Sequence, residues 1–141
     1  MTSPPLEDTG KRTFCISSNP LDIQNAIRGA IQFATAPSTV TDRRAQERTA
    51  YSRLFPLTPV NNAEEMIACG ETIQAAGKNL SPGGIGFFHQ EAIPSRYVVI
   101  SLQQSQDTFS QYLVKISWCR FLHTDWYDSR GQIIRMVKWD E

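Results

Sequence analysis

A surplus of charge of either sign is missing from this sequence: 14 lysines and arginines meet 14 aspartates and glutamates, for a formal net charge of +0. No global field draws the chain to DNA, RNA or an anionic membrane, so a nucleic-acid partner is not expected. Any anion site has to come from local clustering of positive charge. Long apolar runs are missing too, and none approaches the length that crosses a bilayer, which argues against membrane insertion. The stretch Met1 to Arg12 carries Pro4, Pro5, Glu7 and Asp8 without an apolar segment and does not read as a signal peptide. Cysteine is scarce. Cys15, Cys69 and Cys119 are odd in number, far apart and without a C-x-x-C pair, the pattern of reduced thiols in a cytoplasmic protein rather than a disulfide framework or zinc site.

Histidine is scarcer still. His89 and His123 stand on different segments with no further ligands at metal spacing, and they read as ordinary surface or strand-end residues. Asp107, Asp125 and Asp128 lie in polar, loop-like sequence where nothing pairs them as an acid and a base. Ser81 has neither a G-x-S-x-G setting nor a nearby base. No catalytic residue, metal or cofactor is therefore assigned, and the protein is expected not to be an enzyme.

What is present is a short, ordinary globular sequence of 141 residues, room for one domain with an appended element. Residues 1–18 are expected to be a mobile tail. A helix follows over residues 19–36: Asn19 suits the N-cap, Pro20 the first helical position and Asp22 the first turn. Ile23, Ala26, Ile27, Ala30, Ile31 and Ala34 recur at three- and four-residue steps, giving one apolar stripe that needs the rest of the domain or a second protomer to pack on. Pro37 closes the helix.

From residue 37 to Arg48 the chain is a polar linker, the first part of a domain spanning residues 37–141. After Tyr51 the pattern changes to strands. Arg53–Val60 contains Pro56 and Pro59, which restrict it to an edge or bent strand. A weaker strand candidate lies between Ala68 and Lys78, and Ile85–His89 follows a glycine-rich turn. Val98, Ile100 and Leu102 share one face of the next strand, and Tyr112, Val114, Ile116 and Trp118 share a face of Gln111–Leu122. Gln132–Trp139 supplies the last strand. Short strands joined by turns, with no helices between them, predict an all-β antiparallel barrel or sandwich behind a single helix. Strand phase for Trp118, and composition around Trp139, predict core packing for these indoles rather than base stacking.

Two motifs carry chemistry. Asp42-Arg43-Arg44-Ala45-Gln46-Glu47-Arg48 places three arginines within six residues. Arginine's planar fork can pair with the O6 and N7 of guanine, bind phosphate oxygens or stack on a base. Taken alone, the segment reads more readily as a solvated charged stretch or helical turn, with Glu47 offsetting part of the charge. Asn79-Leu80-Ser81-Pro82-Gly83-Gly84 centres Pro82-Gly83 in a four-residue turn of expected type II geometry, with Gly83 at positive φ. Taken alone, it is simply a hairpin turn.

Together the two motifs are far more specific. An R-x-x-x-R segment, Arg44 to Arg48, precedes the first strand, and [D/N]-x-S-x-x-G, on Asn79, Ser81 and Gly84, follows some thirty residues later. This pair resembles the PilZ domain family, over roughly Asp42 to Trp139. The resemblance implies a six-stranded antiparallel β-barrel with the N-terminal α-helix added, in a bacterial, cytoplasmic receptor for the second messenger cyclic-di-GMP. Arg44 and Arg48 would then bind guanine edges and phosphates, Asn79 and Ser81 the other side of the ligand, while Gly83 and Gly84 would let it approach the backbone. Arg43 makes the first motif R-R-x-x-x-R, which in PilZ-like proteins accompanies an intercalated pair of cyclic-di-GMP molecules. Ligand binding is expected to order the linker and reposition the N-terminal helix relative to the barrel, relaying the signal by conformational change to a downstream protein partner, and a homodimer is left open. The alternative is a PilZ-like interaction adaptor that does not bind nucleotide. The ending Gly131 to Trp139 is a loose fit to the family's last strand.

Overall fold

The computed structural model describes residues 11–35, 49–122 and 125–140. Its chain order is β1 (Arg12–Ser17), α1 (Pro20–Thr35), β2 (Thr49–Ala50), β3 (Leu54–Val60), β4 (Ile73–Ser81), β5 (Gly84–His89), β6 (Tyr97–Gln103), β7 (Phe109–Leu122) and β8 (Trp126–Asp140). Strand neighbours run β8-β5-β4-β3-β6-β7, and β7 pairs back to β8, closing a six-stranded antiparallel barrel. The expected all-β barrel with one leading helix is therefore the observed architecture.

The prolines of β3 fit a bent strand. Its first half pairs with β4 (Leu54↔Ala76 to Leu57↔Ile73) and its second half with β6 (Leu57↔Ile100 to Val60↔Tyr97). A strand that changes partner midway leaves part of each edge outside a ladder, where a missing N–H costs little.

The interior is filled by alternate residues: Phe55 and Leu57 from β3, Leu80 from β4, Ile85 and Phe87 from β5, Val98, Ile100 and Leu102 from β6, and Tyr112 and Val114 from β7. The predicted helix stripe joins the same core, with Ile27 and Ala30 fully buried and Ile23 nearly so. The stripe packs on its own barrel. Asn19 caps the helix as expected, its Oδ1 accepting from the Leu21 N–H at 2.8 Å. Gln104 fixes the helix to the barrel, its Nε2 donating to the Ala26 carbonyl at 2.9 Å and to the Tyr112 hydroxyl at 3.1 Å. Gly29 makes room for that bridge, because a Cβ there would meet Gln104 Oε1 at 2.5 Å.

Three expectations need correction. The tail was expected to reach Ser18, but Arg12–Ser17 forms β1, paired antiparallel with β8. Strand pairing holds it through the backbone and needs no strong apolar pattern; β1 buries only Thr13 while Phe14, Cys15 and Ile16 stay exposed. The last strand begins at Trp126 rather than Gln132, so Asp128 lies in a strand and not in a loop. Trp118 is 41% exposed. A β-bulge at Ser117, where Ile116 opposes Gly131 and Trp118 opposes Arg130, reverses the alternation and turns the indole outward. Trp139, by contrast, packs against a second, smaller apolar cluster of Val60, Met66, Val99, Leu113 and Val137.

Candidate functional site

The second motif forms the β4–β5 hairpin, with Pro82-Gly83 as its two-residue loop and Ser81 paired with Gly84. Gly83 does not adopt positive φ, so the turn is not type II. Pro82 at the second position suits type I as well, and that turn needs no left-handed residue. A Cβ on Gly83 would point into open space.

Strand alternation sends Leu80, Ile85, Gly131 and Ile116 inward and their neighbours outward. One outward row crosses the barrel as Asn79, Gly86, Arg130 and Trp118, and a parallel row as Ser81, Gly84, Gln132 and Lys115. β5 thus contributes no side chain here, and side chains from β4 and β8 cover the space over its two glycines. Arg130 and Asn79 lean into it. Arg130 Nη1 donates to Asn79 Oδ1 at 3.2 Å, and a Cβ on Gly84 would lie 2.8 Å from the Gly131 carbonyl and 3.0 Å from Arg130 Nη2. Gly84 is therefore required by the close approach of its own neighbouring strand.

Below this row sits a charged cluster. Asp128, 3% exposed, accepts from Lys78 Nζ at 3.0 and 3.1 Å and from Arg120 Nη2 at 3.0 Å. Burial alone would raise the Asp128 pKa, but the hydrogen bonds and charges of Lys78 and Arg120 outweigh it and hold the carboxyl below its ordinary value. Lys78 occupies a bulge between Gly77 and Asn79 that lets it reach across to Asp128. The face therefore carries Lys78 and Arg120 around one buried acid, with Arg130 two residues along the same strand, a local excess of positive charge on a chain of zero net charge.

Of the residues expected from sequence, the structure brings Asn79, Ser81, Gly83 and Gly84 together on one hairpin. Arg43, Arg44 and Arg48 lie outside the described residues, as does His123. Directly after Arg48 comes β2, which pairs with β4: Thr49 opposes Leu80 and Ala50 opposes Asn79. Tyr51 continues the attachment, its N–H donating to the Lys78 carbonyl at 3.1 Å, and Gly77 N–H donates to the Arg53 carbonyl at 2.8 Å. Ser81, whose Oγ is 3.4 Å from the Gly84 carbonyl, also lines a cleft of about 540 Å³ against the start of α1 at Ser18, Ile23 and Gln24.

Arg130, Lys78, Arg120 and Trp118 were not singled out as site residues. The period-two polar series Asp128, Arg130, Gln132 was a signal for an earlier start of β8; the bulges that aim Lys78 and Trp118 have no local signature. His89 ends its strand as expected but is fully buried rather than on the surface, because Ser129 and the Glu91 carbonyl satisfy both ring nitrogens. Among the described residues, no three His, Cys, Asp or Glu side chains group as a metal site, and no helix is long and apolar enough to cross a membrane.

The fold and this face define a small six-stranded antiparallel barrel with an N-terminal helix and an outer face on which Asn79 and Arg130 lie over the glycines of β5. Comparison with protein-family models, curated proteins and solved structures finds no match for the chain.

Proposed function

We propose that this protein is a non-enzymatic, cytoplasmic receptor for cyclic-di-GMP of the PilZ kind. The observation that carries the reading is the β2–β4 pairing. It seats Thr49, the residue bonded to Arg48, opposite Leu80, between Asn79 and Ser81. The residue that follows the first motif is thereby held at the edge of the strand that carries the second. The cationic face beside them supports the same reading, since a cyclic dinucleotide brings two phosphate charges and two guanines. Arg44 and Arg48 grip guanine edges and phosphate from the linker, while Asn79 and Ser81 hold the ligand from the hairpin. Arg43 adds a third guanidinium and favours an intercalated pair of ligands.

The signal passes to a downstream protein. The Ser81 hairpin and the start of α1 line one cleft, so a ligand at the hairpin adjoins the helix N-terminus. The helix itself stays docked. Fully burying a side chain such as Ile27 stabilises by about 1.5–3 kcal/mol, and detachment would expose the whole stripe.

Titration calorimetry tests the reading. Wild-type protein is expected to bind cyclic-di-GMP with micromolar or tighter affinity and two ligands per chain. Arg44→Ala or Arg48→Ala is expected to weaken binding at least about tenfold, because a bidentate arginine–guanine pair is worth about 1–3 kcal/mol. Ser81→Ala removes a neutral hydrogen bond and costs less. Absence of binding by the wild-type protein overturns the receptor reading and leaves the adaptor.

A further inference from the structure

We propose that the outer edge of β7 over Ser117–Leu122 is a docking surface for a second copy of this chain, the two edges pairing antiparallel about a two-fold axis at Cys119. The inference stands apart from the receptor reading and needs no ligand.

β7 outruns its neighbour. Its ladder with β6 ends where Tyr97 opposes Lys115, and one further bond, from the Ile116 N–H to the Arg96 carbonyl at 2.7 Å, closes that side. From there to Leu122 the strand pairs with β8 alone among the described residues. Its other edge offers a row of backbone N–H and C=O groups on which a further strand can add. Folded proteins commonly blunt such edges with lysine or proline. This one carries neither. Ser117, Trp118, Cys119, Arg120 and Phe121 are all exposed, and the single charge, on Arg120, is paired with Asp128 at 3.0 Å. Phe121 stays 59% exposed although its ring meets Tyr127 edge-on.

The edge is complementary to itself. A cleft of about 340 Å³ lies beside it, with Ile93 and Pro94 on one wall and Ile116 and Ser117 on the other. Ser117 and Phe121 stand two residues to either side of Cys119. An axis at Cys119 therefore sets Phe121 of each copy opposite Ser117 of the other, so that a protruding ring meets a small residue at a cleft, twice. Trp118 and Arg120 oppose one another in the same register, and no like charges meet. Neighbouring registers fail. Opposed residues share a face of the sheet, so the axis passes through a residue and not between two. An axis one residue on sets Arg120 against itself, like charges directly opposed. An axis one residue back sets Phe121 against Lys115, which is already paired with Tyr97. Three inter-strand steps separate this edge from Asn79, so the pairing leaves the hairpin open.

Sedimentation velocity on the whole chain without ligand tests the proposal, with a short bismaleimide as a contact probe. Wild-type protein is expected to form a dimer whose fraction rises with concentration, and the bismaleimide is expected to cross-link it. Cys119→Ser is expected to stay dimeric and lose the cross-link, whereas Cys15→Ser, at the other exposed thiol, keeps it. Cys119→Lys and Cys119→Glu each place like charges at the axis. Both are expected to sediment as monomers with wild-type melting curves, because Cys119 is exposed, and to dimerise again when mixed in equal amounts. A wild-type chain that stays monomeric up to its solubility limit overturns the proposal. A dimer that survives both charged substitutions, or keeps its cross-link without Cys119, overturns it as well by placing the interface elsewhere.

Discussion

His89 ends β5 with both ring nitrogens committed. The Glu91 carbonyl, 2.7 Å from Nδ1, can only accept, so Nδ1 carries the proton; Nε2 then accepts from the Ser129 hydroxyl at 2.8 Å. Tyr127 stacks on the ring at 5.1 Å. Burial lowers the imidazole pKa most strongly, and the Glu91 carbonyl bond with the charges of Glu91 and Asp128 offsets only part of it. The unfolded chain therefore takes up a proton more readily than the fold. The stability this residue contributes is complete above about pH 6.5 and is lost as pH falls through that value toward the folded pKa. Melting temperature is expected to drop between about pH 8 and pH 5.5, and His89→Gln is expected to flatten that slope in a scanning calorimeter. A variant with an unchanged slope would assign the acid sensitivity elsewhere.

At the scale of elements, β2 is the smallest strand and the most consequential. It is only Thr49–Ala50, yet it holds the chain that follows the arginine-rich segment against β4. Gly77 makes that attachment feasible, for a Cβ there would lie 2.4 Å from the Tyr51 carbonyl and 2.7 Å from its ring. The backbone oxygen cannot step aside as a flexible side-chain end could. Gly77→Ala is expected to push residues 49–53 away from β4, destabilise the fold by about 1–3 kcal/mol and weaken cyclic-di-GMP binding beyond what that destabilisation explains. Denaturant melts and calorimetry on the same preparation separate the two effects. Gly83, with open space at its Cβ, makes the natural control for the denaturant melts, because a side chain there meets nothing in the fold.

Across the whole molecule, helix and barrel share one core. Ile23, Ile27 and Ala30 belong to the same buried cluster as Phe55, Leu80 and Tyr112, and Arg53 stacks on Phe33 with its guanidinium 5.1 Å from the ring. A shared core unfolds as a unit. Helical circular dichroism and tryptophan fluorescence are expected to report coincident thermal transitions; a helix that melts earlier would separate it from the barrel core.

Legibility divided along physical lines. The helix was readable because its start is written in Asn19 and Pro20 and its stripe in a 3.6-residue period, both local effects. The strands of the barrel were readable from alternation, and Asn79, Ser81 and Gly84 from a turn whose residues are neighbours in sequence. β1 was not, since its pairing with β8 is a contact between the ends of the chain that leaves no periodic trace in Arg12–Ser17. The outward turn of Trp118 was not readable either. One extra residue in a strand reverses every side chain beyond it, and only the register against β8 decides where that residue falls. The sequence by itself determined the element types, the helix cap and the polar residues of the hairpin. The tertiary structure decided the closure of the barrel, the Lys78–Asp128–Arg120 cluster and the meeting of Thr49 with Leu80, because each depends on backbone pairing between segments that no local preference can bring together.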